Sequence, residues 1–163
     1  SASVGVACGQ AAQHETGELL RQADLAMYQA KKSGSRRAVV FEPQMQEDAR
    51  DRLELQGDLR RALAESQFEL VYQPLMDLQD PAGRRPLGVE TLIRWRHPER
   101  GLISPALFVP LAEETGAVVE MGRWVLVQSC RQVAAWRRHS WPDLGLNINV
   151  SARQLADGCS PRR

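Results

Sequence analysis

No hydrophobic run approaches the roughly 20 residues that a membrane-spanning helix needs, and the first residues lack the charged-then-apolar pattern of an export signal. A membrane segment in this chain is therefore not expected. Cysteine is scarce: Cys8, Cys130 and Cys159 are odd in number, far apart and free of CxxC or Cys/His spacing, which supports neither a disulfide framework nor a zinc site. Reduced thiols in a cytoplasmic chain are the simpler reading. Neither sign of charge is in excess, with 21 Lys+Arg against 20 Asp+Glu and a formal net charge of +1, so generic nucleic-acid binding has no electrostatic footprint here. What is present is the 43% hydrophobic and 25% charged content of a globular protein, in 163 residues, room for one ordinary domain or pieces of two.

Local patterns divide the chain. "SASVGVACG" alternates Val4 and Val6 with small residues and reads as a short strand. Over 17–33, Leu20, Ala23, Met27 and Ala30 fall on one helical face, with Thr16 as N-cap, Glu18 at the positive end and Gly34 as the stop. "RRAVVFEP" is a second short strand ended by Pro43. From Gln44 to Ser66 the chain is dense in charge, with Leu55, Leu59 and Leu63 four apart. It reads as a joining helix, weakened at Gly57 by about 1 kcal/mol relative to alanine.

Beyond it, "FELVYQPLMDL" (68–78) is a strand ending in a turn around "DPAGRRP". "GVETLIRWRHPERG" (88–101) continues as a second strand, Pro105–Thr115 and Val118–Arg138 follow as helices, and "LGLNINVS" (144–151) is a third strand. In the longer helix Val118, Gly122, Val125, Ser129, Val133 and Trp136 share a face. This order is the start of an α/β domain with parallel elements.

The stretch 88–101 places a carboxylate inside a β-pattern. Alternation puts Glu90, Leu92 and Arg94 on one face and Val89, Thr91, Ile93 and Trp95 on the other. The second set suits packing under helices. The first needs a partner for its carboxylate, since burying an unpaired charge costs several kcal/mol. Arg94 is four residues from Glu90, roughly 13 Å along a strand, which is marginal for a direct pair. An ion pair to another strand and a metal or ligand site both remain open. In "NINVS", Asn147, Asn149 and Ser151 share one face. Carboxylate and amide oxygens are hard ligands of the kind Mg²⁺ or Mn²⁺ prefers. "RWRH" is no nucleic-acid patch, because alternation sends Arg94 and Trp95 to opposite faces. His14, His97 and His139 lack ligand spacing and read as surface or loop residues, and Glu113 and Glu114 as solvated.

"FELVYQPLMDL", "GVETLIRWRHPERGLISPALFVPLAEETG", "GRWVL" and "NINVSARQL" together closely resemble the EAL domain, a family of cyclic di-GMP phosphodiesterases and related receptors. Upstream, "SVGVA", "LLRQADLAMYQAKKSGSRR" and "VVFEP" resemble the C-terminal end of a GGDEF domain, the diguanylate cyclase family. The match runs from Ser3 to Leu155.

The resemblance implies a GGDEF C-terminal fragment over 1–43, a linker helix over 44–66, the N-terminal part of an EAL domain over 67–155 and an atypical tail over 156–163. The implied fold is α/β: an incomplete TIM-like (β/α) barrel of EAL type, with its site at the C-terminal strand ends. Glu90 and Asn149 match metal-binding positions. Gln73, Leu92 and Arg94 match dinucleotide contacts, with Arg94 at a phosphate. Lys31 matches a phosphate-contacting Lys of the GGDEF family, whose Arg position holds Ser35 beside Arg36. In the EAL family two Mg²⁺ or Mn²⁺ ions activate water for in-line attack, opening cyclic di-GMP to linear pGpG. A homodimer through the EAL portion is a further implication.

Two departures matter. The signature reads Glu90-Thr91-Leu92 where the family has Glu-Ala-Leu, and alternation places Thr91 on the packing side. The family's later metal-binding carboxylates, Asp-Asp pair and catalytic Lys find no counterpart in the 163 residues, so no catalytic set is complete. The expectation is a cyclic di-GMP signalling chain of phosphodiesterase family that is itself inactive. The alternatives are a non-catalytic cyclic di-GMP-binding or protein-interaction module, and a truncated product without independent function.

Overall fold

The computed structural model describes residues 2–9, 15–32, 34, 37–77, 79 and 86–158. The chain forms two compact units, Ser1–Leu55 and Gln56–Arg163, each described by itself.

In the first unit, strands β1 (Val4–Val6) and β2 (Ala38–Val40) pair in parallel, Val4 opposite Ala38. Helix α1 (Thr16–Lys32) is the crossover that parallel pairing requires. Gly5 lets strand and helix touch: a Cβ there would stand 2.0 Å from the Ala23 carbonyl oxygen. The buried stripe of α1 is Ala26 and Ala30, flanked by half-buried Leu19, Ala23 and Met27. Leu20 is 64% exposed, which corrects its expected place on the inner face. Small residues, not the leucine, meet the strand because β1 lies so close. Thr16 is not the N-cap either, since the Glu15 carbonyl already accepts from the Glu18 and Leu19 amides. Gly34 ends the helix at φ 96° as anticipated.

Helix α2 spans Pro43–Ala62, and the boundary between units falls inside it. Gly57 does not break it. It stops short of Ser66, which takes φ 54°, while the Gln67 amide returns to the Ala62 carbonyl at 2.9 Å.

The second unit is built on a four-stranded mixed sheet. β3 (Phe68–Met76) runs antiparallel to β4 (Pro86–His97). The opposite edge of β4 carries two partners: β5 (Gly101–Ile103) folds back on Trp95–His97, and β6 (Gly145–Ile148) pairs in parallel with Gly88–Thr91. The β5 hairpin has no counterpart in the sequence-based expectation. Most of the "DPAGRRP" turn lies outside the described residues.

Helices α3 (Pro105–Thr115) and α4 (Ala117–His139) cover one face of this sheet. Their corner is Gly116, whose φ of 84° suits glycine. Trp95 and Phe108 are fully buried, their rings edge to face at 5.6 Å and both beside Phe68. Toward the other end, Val89, Val133 and Leu144 form a second cluster under Tyr72 and Trp136. Alternation holds for most of β4: Val89, Thr91 and Trp95 are buried, whereas Ile93, expected with them, is only half-buried, as are Glu90, Leu92 and Arg94 of the other set. α5 (Ala152–Gly158) follows β6 directly.

Candidate functional site

The face of the sheet turned from the helices gathers the polar residues. Strand register sets Gln73 opposite Glu90, Val71 opposite Leu92 and Glu69 opposite Arg94. On the other side Asn147 pairs with Glu90 across β6. Yet Asn149, past the end of β6, is the residue that reaches Glu90: its Nδ2 donates to Glu90 Oε1 at 2.8 Å. A polar row of Gln73, Glu90 and Asn149 therefore crosses three neighbouring chain segments.

Arg94 and Glu90 form no salt bridge. The half-buried guanidinium donates through Nη1 to the Ile93 carbonyl at 2.9 Å. Glu69, which sits opposite Arg94, is engaged by Arg96 at 2.6 Å, and that carboxylate's hydrogen bond and charge hold the Arg96 pKa above its ordinary value. Arg94 makes no ion pair among the described residues, so its charge is available to an anion. Leu92 supplies apolar surface between it and Glu90.

Thr91 lies on the packing side, 3% exposed, and its Oγ1 has no hydrogen-bond partner among the described residues. Behind Asn149, between β4, α3, α4 and α5, is a cavity of about 320 Å³ with an apolar wall that includes Val109, Met121 and Val125. Tyr72, opposite Thr91, has its phenol pKa raised by burial, the Ser129 hydroxyl partly opposing the shift.

Lys31 is exposed in the last turn of α1 and belongs to the first unit. Ser35 and Arg36 lie outside the described residues. His97 is not the surface residue its spacing suggested: it is 7% exposed, its Nε2 meets Asp58 at 3.1 Å, and its Nδ1 accepts the amides of Glu99 and Arg100. It pins the β4–β5 turn to α2. Glu113 is half-buried at the cavity rim, whereas Glu114 is exposed.

Glu90 and Asn149 offer the hard donors that a Mg²⁺- or Mn²⁺-type ion accepts. Among the described residues no group of three or more His, Cys, Asp or Glu converges so as to hold a metal ion. The donor set fits part of such a site. Nor is any described helix long and apolar enough to cross a membrane.

Strands β4 and β6 in parallel, helices between them, and a polar row that runs from within β3 and β4 to Asn149 just past β6 define an α/β domain. The chain belongs to the EAL domain family, which matches residues 56–161. It is 43% identical over 156 residues to the bifunctional diguanylate cyclase/cyclic di-GMP phosphodiesterase MucR of Pseudomonas aeruginosa, covering 96% of this chain and 22% of MucR. It is 41% identical to the cyclic di-GMP phosphodiesterase PdeR of Escherichia coli over 161 residues, again 96% of this chain and 23% of PdeR. The chain thus spans less than a quarter of the length of these two relatives. The solved PaMucR phosphodiesterase in complex with c-di-GMP superposes with a TM-score of 0.58 and 45% identity, over 63% of this chain and 40% of that one. The Xanthomonas citri FimX EAL domain in complex with c-diGMP gives 0.54 and 25% identity over 69% of this chain and 42% of that one.

Proposed function

We propose that this chain carries part of the cyclic di-GMP site of a metal-dependent phosphodiesterase. Gln73, Leu92 and Arg94 contact the dinucleotide, Arg94 at a phosphate, and Glu90 and Asn149 contribute ligands to Mg²⁺ or Mn²⁺. The observation that carries this reading is the Asn149–Glu90 contact, made by residues 59 positions apart, beside Gln73 and an arginine with no ion pair among the described residues. When bound, the divalent ion lowers the pKa of a water and neutralises phosphate charge. The chain's own residues orient the ligand: Leu92 packs against it and Arg94 offers a planar fork to a phosphodiester.

Beside the Glu90–Asn149 pair, no three His, Cys, Asp or Glu converge among the described residues, so the chain by itself binds rather than turns over. That observation favours the binding-module reading for this chain and leaves hydrolysis of cyclic di-GMP to pGpG as the family chemistry of the whole protein. Residues 1–43 are read as the C-terminal end of a GGDEF domain and 44–66 as the linker to the EAL part in 67–155. Support comes from the parallel β1–α1–β2 unit and from the similarity to bifunctional MucR, which extends over 96% of the chain and so beyond 56–161. Self-association through the EAL portion follows the same reading and is checked by light scattering.

The test is calorimetry of cyclic di-GMP with the chain, with and without Mn²⁺, alongside chromatography for pGpG. Binding is expected, weakened about tenfold by Arg94→Ala through loss of one charge-assisted contact, with no pGpG formed. No binding in the tens-of-micromolar range would refute the site, and pGpG abolished by Glu90→Ala would refute the inactivity.

A further inference from the structure

β6 ends at Ile148, so strand pairing does not fix the backbone at Asn149. The next residues do. The Ser151 amide donates to Gln154 Oε1 at 3.0 Å and the Gln154 amide donates to Ser151 Oγ at 3.4 Å, the reciprocal arrangement of a capping box. The Gln154 side-chain amide lies directly over Gly122 of α4, where a Cβ would stand 1.7 Å from its Nε2. Arg153 donates through Nη1 to the carbonyls of Glu113 and Glu114, which close α3. The last carbonyls of a helix lack intrahelical partners and carry partial negative charge, so a guanidinium there is doubly favoured.

We infer that Arg153 and Gln154 are positioning residues for Asn149: they clamp the turn 149–151 to the α3–α4 corner and so present the Asn149 amide to Glu90. Neither touches Glu90 through a hydrogen bond; both act through the turn. Gly122 is part of the same device, because only a glycine leaves room for the Gln154 amide. The functional consequence rests on Glu90 and Asn149 being metal ligands, while the clamp itself does not.

The experiment uses the full 163-residue chain, isotope-labelled, and follows the Asn149 side-chain amide by NMR, assigned by its loss in Asn149→Asp. Gly122→Ala expels the Gln154 amide while adding a better helix former to α4, and Arg153→Ala removes the α3 anchor. In both, the Asn149 resonance is expected to move to the position of a solvated asparagine, with Arg153→Lys restoring it in part. Binding of Mn²⁺ alone is expected to weaken by about tenfold to a hundredfold, as for lost outer-shell partners, with cooperative melting retained. Unmoved Asn149 resonances in cooperatively folded Gly122→Ala and Arg153→Ala would overturn the clamp. Should Arg153→Ala fail to fold, Gly122→Ala decides alone. If the parent chain binds no Mn²⁺, the metal reading fails, and the resonance still judges the clamp.

Discussion

Replacing Thr91 by valine should stabilise the second unit. The side chain is 3% exposed on the packed face of β4, and its Oγ1 has no hydrogen-bond partner among the described residues. A buried hydroxyl left unsatisfied costs about 1–3 kcal/mol, and valine replaces it with a methyl of similar size. Allowing for part of that penalty being relieved by local relaxation, a gain of about 1 kcal/mol is expected. Thr91→Ala, the residue usual in the family signature, also removes the hydroxyl but deletes a buried methyl, worth about 1 kcal/mol. It should lie close to the parent. All four tryptophans, Trp95, Trp124, Trp136 and Trp141, belong to the second unit, so fluorescence in urea reads that unit alone. For a slope of about 1–2 kcal/mol/M the valine variant should move the midpoint up by about 0.5–1 M with the slope unchanged. A valine variant destabilised by about 1 kcal/mol or more would mean that the hydroxyl is satisfied, and the packing account of the altered signature would fall with it.

Gly57 is exposed within α2 and a Cβ there meets nothing, so Gly57→Ala should stabilise the second unit by about 1 kcal/mol in the same urea titration. Gly5→Ala should do the reverse to the first unit, by about 2 kcal/mol or more, because the new methyl strikes the α1 backbone; circular dichroism during unfolding checks it. His97→Ala removes the acceptor for two turn amides and the contact to Asp58, and should cost about 2–3 kcal/mol on fluorescence-monitored unfolding. Tyr72 has a phenol pKa raised by burial, so the folded state holds its proton longer than the unfolded one. Its contribution is complete below the unfolded value near 10 and is lost as pH rises through the folded value. Tyr72→Phe should flatten that alkaline decline, and an unchanged slope would discount the shift.

What the sequence makes legible here is what a strand's two-residue period can carry. Glu90, Leu92 and Arg94 separate from Val89, Thr91 and Trp95 by local geometry alone, and the observed burial follows that division. Period cannot reach further. β5 is three residues long, too short to show alternation, and His97 reads as a loop residue because its partners are an aspartate 39 positions away and two backbone amides. Leu20 misleads because hydrophobicity ranks it above alanine, whereas the close approach at Gly5 admits only small side chains.

The case of Asn149 is the most instructive. Alternation groups it with Asn147 and does not choose between them. Register makes Asn147 the direct neighbour of Glu90, yet Asn149 makes the contact from beyond the strand's end. The choice is made by the turn, and so by Ser151, Arg153, Gln154 and the glycine beneath them. The S-x-x-Q spacing of a capping box was visible in "SARQ"; that it would tie a candidate metal ligand to the far corner of two helices depends on contacts 32 to 40 positions away, which no local pattern encodes. Substitutions in that corner should therefore alter the Glu90 site more than their distance along the chain suggests.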